Sequence, residues 1–248
     1  MELKAKKVFA GIKTNEAYEV GATNKGISIK TILLLLLAIT SGISFVTMIT
    51  NGVISAENAI VLVIVFAILA VISGFVGQIF ASTSAICGMI YAISEGAILG
   101  LISFIFNAEW GGIVVSAVLV TASIFVAMLL VYVTGLIKVT SRFTRFMAGI
   151  FIAGALFFLV YFIMTLIDPN NALAVAFQTN RGLMIGVSFL ILLYGAFMLL
   201  LDFDYANNLV HSGFDKKYEW TAALSIMITI IWIYIEVLRI LALLRRDS

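Results

Sequence analysis

Lys30 is the last charged residue before Glu57, and after Glu57 no charge appears until Glu95. Apolar residues fill these intervals in long continuous blocks, and the pattern repeats to the end of the chain. On a scale of about 20 apolar residues per bilayer crossing, the blocks fall near 29–50, 59–80, 86–106, 112–137, 147–167, 183–203 and 220–244. Hydrocarbon leaves backbone N–H and C=O groups no partner but each other, so only helices and closed barrels span a membrane. Barrel strands alternate with period two; these blocks do not. The sequence therefore predicts an all-α membrane protein with seven transmembrane helices. Composition agrees, with 63% hydrophobic and 11% charged residues, against about 45–50% and about 25% in soluble domains.

Three segments follow: a polar leader over 1–28, the transmembrane domain over 29–244 and a short tail over 245–248. The leader is too long and too charged for a simple signal peptide. The joints "NGVISAEN", "ASTSA", "NAEWGG", "KVTSRFTR", "DPNNALAVAFQTNR" and "DYANNLVHSGFDKKYEW" read as loops, and the shortness of the second makes spans two and three tight antiparallel neighbours. With the N-terminus in the cytoplasm, that side receives eleven Lys and Arg, from Lys4 to Lys217. The other side receives Arg181, Arg239, Arg245 and Arg246. This asymmetry predicts a multi-pass cell-membrane protein with a cytoplasmic N-terminus and the C-terminus outside. The basic ending "RRDS" leaves a re-entrant last segment as the alternative. Small residues at four-residue steps, Ala92, Gly96 and Gly100 in span three and Gly182 and Gly186 in span six, allow helix backbones to approach closely.

The acids beside or inside these blocks carry the chemistry. A charged group at a helix centre costs about 2.5–3.5 kcal/mol on insertion scales, so Glu95 in span three and Glu236 in span seven are expected to face the bundle interior. Asp202 and Asp204 close span six and lie about 200° apart on a regular helix; Asp202 is expected to face inward and Asp204 to be the solvated end-of-helix residue. Glu236 and Arg239, three apart on one face, also read as a structural ion pair. At about 1.5 Å per residue, Glu236 lies about 24 Å along the last helix from Trp220. The two acids then sit at different depths unless span six continues past Asp204 or span seven begins below the membrane surface. Carboxylates are hard oxygen ligands for calcium, protons compete for the same oxygens, and a pore lined by them is cation-selective. Asp202 and Glu236 are the candidate metal-contacting pair, and Asp202, Glu236, Glu95, Asp204 and Arg239 the candidate ion pathway or pH sensor.

Other classes lack their residues. The single histidine, His211, sits in a loop, which disfavours an intramembrane zinc site or a Ser–His protease. The last span has no lysine for a retinal Schiff base, and no glycine-rich phosphate loop occurs. Cys87 alone forms no internal disulfide and reads as packing. The expectation is a non-enzymatic protein with no catalytic residue, no bound cofactor and no nucleic-acid partner.

Four segments in series, "YAISEGAILGLIS" (91–103), "LLLDFDYANN" (199–208), "YEWTAALSI" (218–226) and "IIWIYIEVLRIL" (230–241), resemble the Bax inhibitor-1 family of seven-helix membrane proteins, specifically its bacterial branch. The resemblance covers residues 29–244. It implies a central last helix ringed by the other six, and a pH-sensitive calcium leak held shut by two acids on helices six and seven that share protons. By position these acids fall on Asp202 and on Glu236, where other members have Asp; Glu95 matches the family's EG motif. The resemblance also implies an alternative, a non-conducting stress regulator that binds a partner such as a membrane-embedded protease.

Overall fold

The computed structural model describes residues 21–245, so residues 1–20 of the leader and 246–248 of the tail lie outside the described residues. Eight helices follow one another: α1 (Asn24–Thr50), α2 (Ala56–Ile79), α3 (Ser84–Glu109), α4 (Ile113–Thr134), α5 (Ser141–Ile167), α6 (Ala172–Thr179), α7 (Arg181–His211) and α8 (Tyr218–Arg245). All but α6 are long and apolar enough to cross a membrane. Among the described residues there is no strand, only an isolated antiparallel bridge between Gly21 and Asp215.

The ends differ from the sequence reading where polar residues extend a helix. α1 begins at Asn24 because the Thr23 hydroxyl accepts the Gly26 N–H at 2.9 Å, a cap worth about 1 kcal/mol. Residues 21–28, assigned above to the leader, therefore belong to the bundle. The fifth joint, read as a loop, contains α6: Asn171 caps it by accepting from Ala174, and Asn180 ends it while capping α7 through Leu183. α7 runs past its apolar block and both aspartates to His211, stopping where Gly213 adopts φ 68°.

Seven antiparallel spans leave two ends. The turns at 80–83, 135–140 and 212–217 share one end with residues 21–23, while 51–55, 110–112 and 168–180 share the other with Arg245. α8 is the central element: 56% of its most apolar window is buried, against none for α5. α1, α2, α3, α4 and α7 pack on α8, and α5 reaches the bundle through α6 and α7. Tyr194 of α7 meets the Met147 carbonyl of α5 at 3.4 Å, and Phe197 meets Phe143 edge to face.

Without a hydrophobic force between helices in lipid, close packing holds them together. α1 buries Ile27, Thr31, Leu34, Ala38, Gly42 and Phe45, one side chain per turn along a single stripe. Its tightest crossing is on α3. A Cβ on Gly96 would strike the Ala38 backbone, a Cβ on Gly42 would lie 2.7 Å from the Gly96 carbonyl oxygen, and Ser41 donates to the Ile93 carbonyl at 2.7 Å. Gly186, with the same spacing relative to Gly182, has open space around it, so only the first small-residue stripe is a helix crossing. Gly96→Ala is expected to cost about 1–3 kcal/mol through overpacking. Gly186→Ala should be neutral or stabilising by up to about 1 kcal/mol. Thermal unfolding of the purified variants in detergent measures both.

Candidate functional site

On an ideal helix Thr221, Ser225, Thr229 and Glu236 fall within about 80° of arc. α8 thus carries a polar stripe along one side, with Thr221, Thr229 and Glu236 buried and Ser225 half-buried. A buried polar group costs free energy unless it is paired, and each member has a partner. Thr221 shares a hydrogen bond of 2.7 Å with Ser84, the first residue of α3, which also donates to the Gly77 carbonyl at 2.6 Å. This locks the tight α2–α3 turn against the start of α8.

One turn further along, Asp202 enters from α7. It is 5% exposed, and each of its oxygens accepts one hydroxyl: Oδ1 from Ser225 at 2.6 Å and Oδ2 from Thr229 at 2.5 Å. Thr229 Oγ1 also lies 3.3 Å from the Ser225 carbonyl oxygen. The extension of α7 to His211 makes this meeting possible, because it sets Asp202 well inside the helix and antiparallel to the first half of α8. Asp204 diverges as helical geometry requires. It is half-buried, accepts from Asn208 at 2.8 Å and lies near Tyr132 of α4.

Glu236 is not at this level. It is 3% exposed and accepts from Arg239 Nη1 at 3.0 and 3.4 Å, while the Arg239 side chain is 49% exposed. From Thr229 to Glu236 the axial rise is about 10 Å, and in that interval Trp232 of α8 packs edge to face on Tyr194 of α7, centroids 5.7 Å apart. The structure does not bring Asp202 and Glu236 together; hydroxyls stand opposite Asp202, and an arginine stands beside Glu236. Glu95 is half-buried on α3 next to Tyr91. Among the described residues no hydrogen bond or ion pair joins it to either of the other two acids, and no three metal-ligating side chains cluster.

Two groups escaped the sequence reading. Ser225 and Thr229 were legible as the four-residue hydroxyl period Thr221, Ser225, Thr229 in the last apolar block. Glu219 is fully buried and pairs with Lys30, a residue counted above only as a cytoplasmic charge. Its signal was an acid one step before the last apolar block and a base at the start of the first.

Thr229→Val removes one donor from a buried carboxylate and should destabilise the protein by about 1–3 kcal/mol. Since Asp202 and Glu236 share no partner, the stability effects of Asp202→Asn and Glu236→Gln should add within about 0.5 kcal/mol. A larger coupling would mean that the acids are linked, directly or through α8 as a body.

A family model described as Bax inhibitor 1 like matches residues 4–246. No curated protein matches the chain significantly.

Proposed function

The chain belongs to the Bax inhibitor 1-like family, and from that premise we propose that it is a pH-sensitive leak pathway for calcium or a related cation in the cell membrane, acting without catalysis. The observation that carries the proposal is the buried Asp202 with a hydroxyl on each oxygen, on the stripe of the central helix. A carboxylate and two hydroxyls are an all-oxygen donor set, the chemistry that suits a hard cation.

Proton and cation compete for this seat. When ionised, Asp202 accepts from both hydroxyls and ties α7 to α8. Once protonated it becomes a donor, and the Thr229 hydroxyl turns its own proton to the Ser225 carbonyl, 3.3 Å away. The α7–α8 contact is rearranged without leaving a buried donor unpaired. The Tyr194–Trp232 pair is the apolar barrier beyond Asp202, and Glu236 with Arg239 is a second polar station past it. Gating in this reading rests on one titrating acid and its hydroxyls. The second acid acts separately.

Purified protein in liposomes tests this by calcium flux across pH. Asp202→Asn should flatten the pH dependence, and Asp204→Asn should leave its midpoint in place. A folded Asp202→Asn protein with the parent pH profile would sink the proposal. The alternative, a non-conducting stress regulator that binds a membrane-embedded protease, is favoured by one feature: the apolar window of α5 is wholly unburied and offers a partner a full helix face. A regulator of that kind leaks nothing when reconstituted alone.

Orientation follows from charge. The end holding residues 21–23 carries Lys25, Lys30, Lys138, Arg142, Arg145, Lys216 and Lys217, and the opposite end carries Arg181, Arg239 and Arg245. We place the first end in the cytoplasm. A reporter fused after Ser248 should be active outside and one inserted near Arg142 inside; a cytoplasmic signal from the first would reverse the assignment of the C-terminus.

A further inference from the structure

Glu219, at the first turn of α8, has 0% of its surface exposed. Its partners come from the start of α1. Oε1 accepts the Thr23 backbone N–H at 2.8 Å and the Thr23 hydroxyl at 3.0 Å, and Oε2 accepts from the Lys30 ammonium. Lys30 Nζ also sits 5.2 Å from the centre of the Trp220 ring, a favourable place for a cation. Gly26 leaves room for the carboxylate, since a Cβ there would collide with it. Just outside, Ala22 donates to the Phe214 carbonyl at 2.7 Å, and Gly21 bridges to Asp215. The Asp215 carboxyl is held below the usual carboxylate range by the backbone N–H and ammonium of Lys217.

These contacts fasten one helix end to another at the same end of the bundle, and what they fasten is the helix that presents Ser225 and Thr229. Asp202 contacts α8 about 9 to 15 Å along the axis from Glu219. Between them the only other described anchor on the stripe is the Thr221–Ser84 hydrogen bond. A rigid helix transmits a slip or rotation at its first turn to the next three turns, and hydroxyl-to-carboxylate contacts of 2.5–2.6 Å tolerate little of either.

We propose that Thr23, Lys30 and Glu219 form a clasp that positions α8, holding Ser225 and Thr229 in register with Asp202, so that loosening the clasp loosens the hydroxyls around the acid. Its residues are positioning residues, since none touches Asp202. The idea rests on the proposed role of Asp202 only for its functional consequence; the register itself is measurable without any flux.

The test uses the full chain in nanodiscs with Cys87→Ser and Ala222→Cys, which leaves Ser225 and Thr229 in place on α8, read by the labelling rate of position 222 with a small water-soluble methanethiosulfonate. Ala222 is 0% exposed, so labelling should be slow when the clasp is intact. Glu219→Gln and Lys30→Met should each speed it by about tenfold or more, as expected when a local contact opens. Lys30→Arg, which keeps the charge, should restore the slow rate, and Thr23→Ala should give a smaller increase. The double variant Lys30→Met with Glu219→Gln removes the uncompensated buried charge, so it should recover thermal stability while labelling stays fast. If labelling instead returns to the parent rate together with stability, the clasp is a structural ion pair and the proposal is overturned. An unchanged rate in every folded variant overturns it too. Flux on the same samples separates the two readings: a parent protein that leaks nothing refutes the conductance, while the labelling series still decides the clasp.

Discussion

A carboxyl group enclosed among helices in hydrocarbon has no water to turn to, and Asp202 meets that constraint with two hydroxyls from a single neighbouring helix. Much else follows from that arrangement. α7 must continue beyond its apolar block to bring Asp202 to the right depth, α8 must present hydroxyls at a four-residue interval, and α8 must be fixed along its axis. The fixing comes from three levels on three different helices: Glu219 on α1, Thr221 on α3, and Ser225 with Thr229 on α7. In lipid these polar contacts supply specificity that apolar burial cannot, because lipid tails are as apolar as the side chains they would replace.

The seven spans were legible because length and continuous apolarity act locally, and the bilayer demands both. Their polar ends were not. The cap at Thr23 and the continuation of α7 through Asp202 and Asp204 depend on what lies opposite, namely Glu219 and the first half of α8. The inward face of Asp202 and the divergence of Asp204 from it were readable from the 100° step of a helix; that Asp204 is half-buried near Tyr132 was not. That Asp202 would find hydroxyls, and Glu236 an arginine, was not, because register between two antiparallel helices is set by their joining turn and by the other helices around them. Small-residue spacing shows the same limit: Gly96 and Gly186 look alike in sequence, yet only Gly96 lies against another backbone. α6 was hidden because its eight residues sit between two asparagines that also read as loop signals.

The separation of Asp202 on α7 from Glu236 on α8 constrains any pH response of the kind proposed above. Two carboxylates in contact titrate as one unit with shared protons and two distant macroscopic steps. With a tyrosine and a tryptophan between them, and with an arginine paired to Glu236, the acids have little reason to communicate through charge. Any coupling must pass through α8 as a body. A rigid helix clasped at Glu219 and bonded at Ser225 and Thr229 also carries Trp232 and Glu236, so a rearrangement at Asp202 that shifts α8 would carry both residues with it. Mechanical coupling of this kind predicts that rigidity of α8 matters more than the distance between carboxylates. It also explains how the chain can keep one acid among hydroxyls and another beside a cation without requiring that the two ever meet.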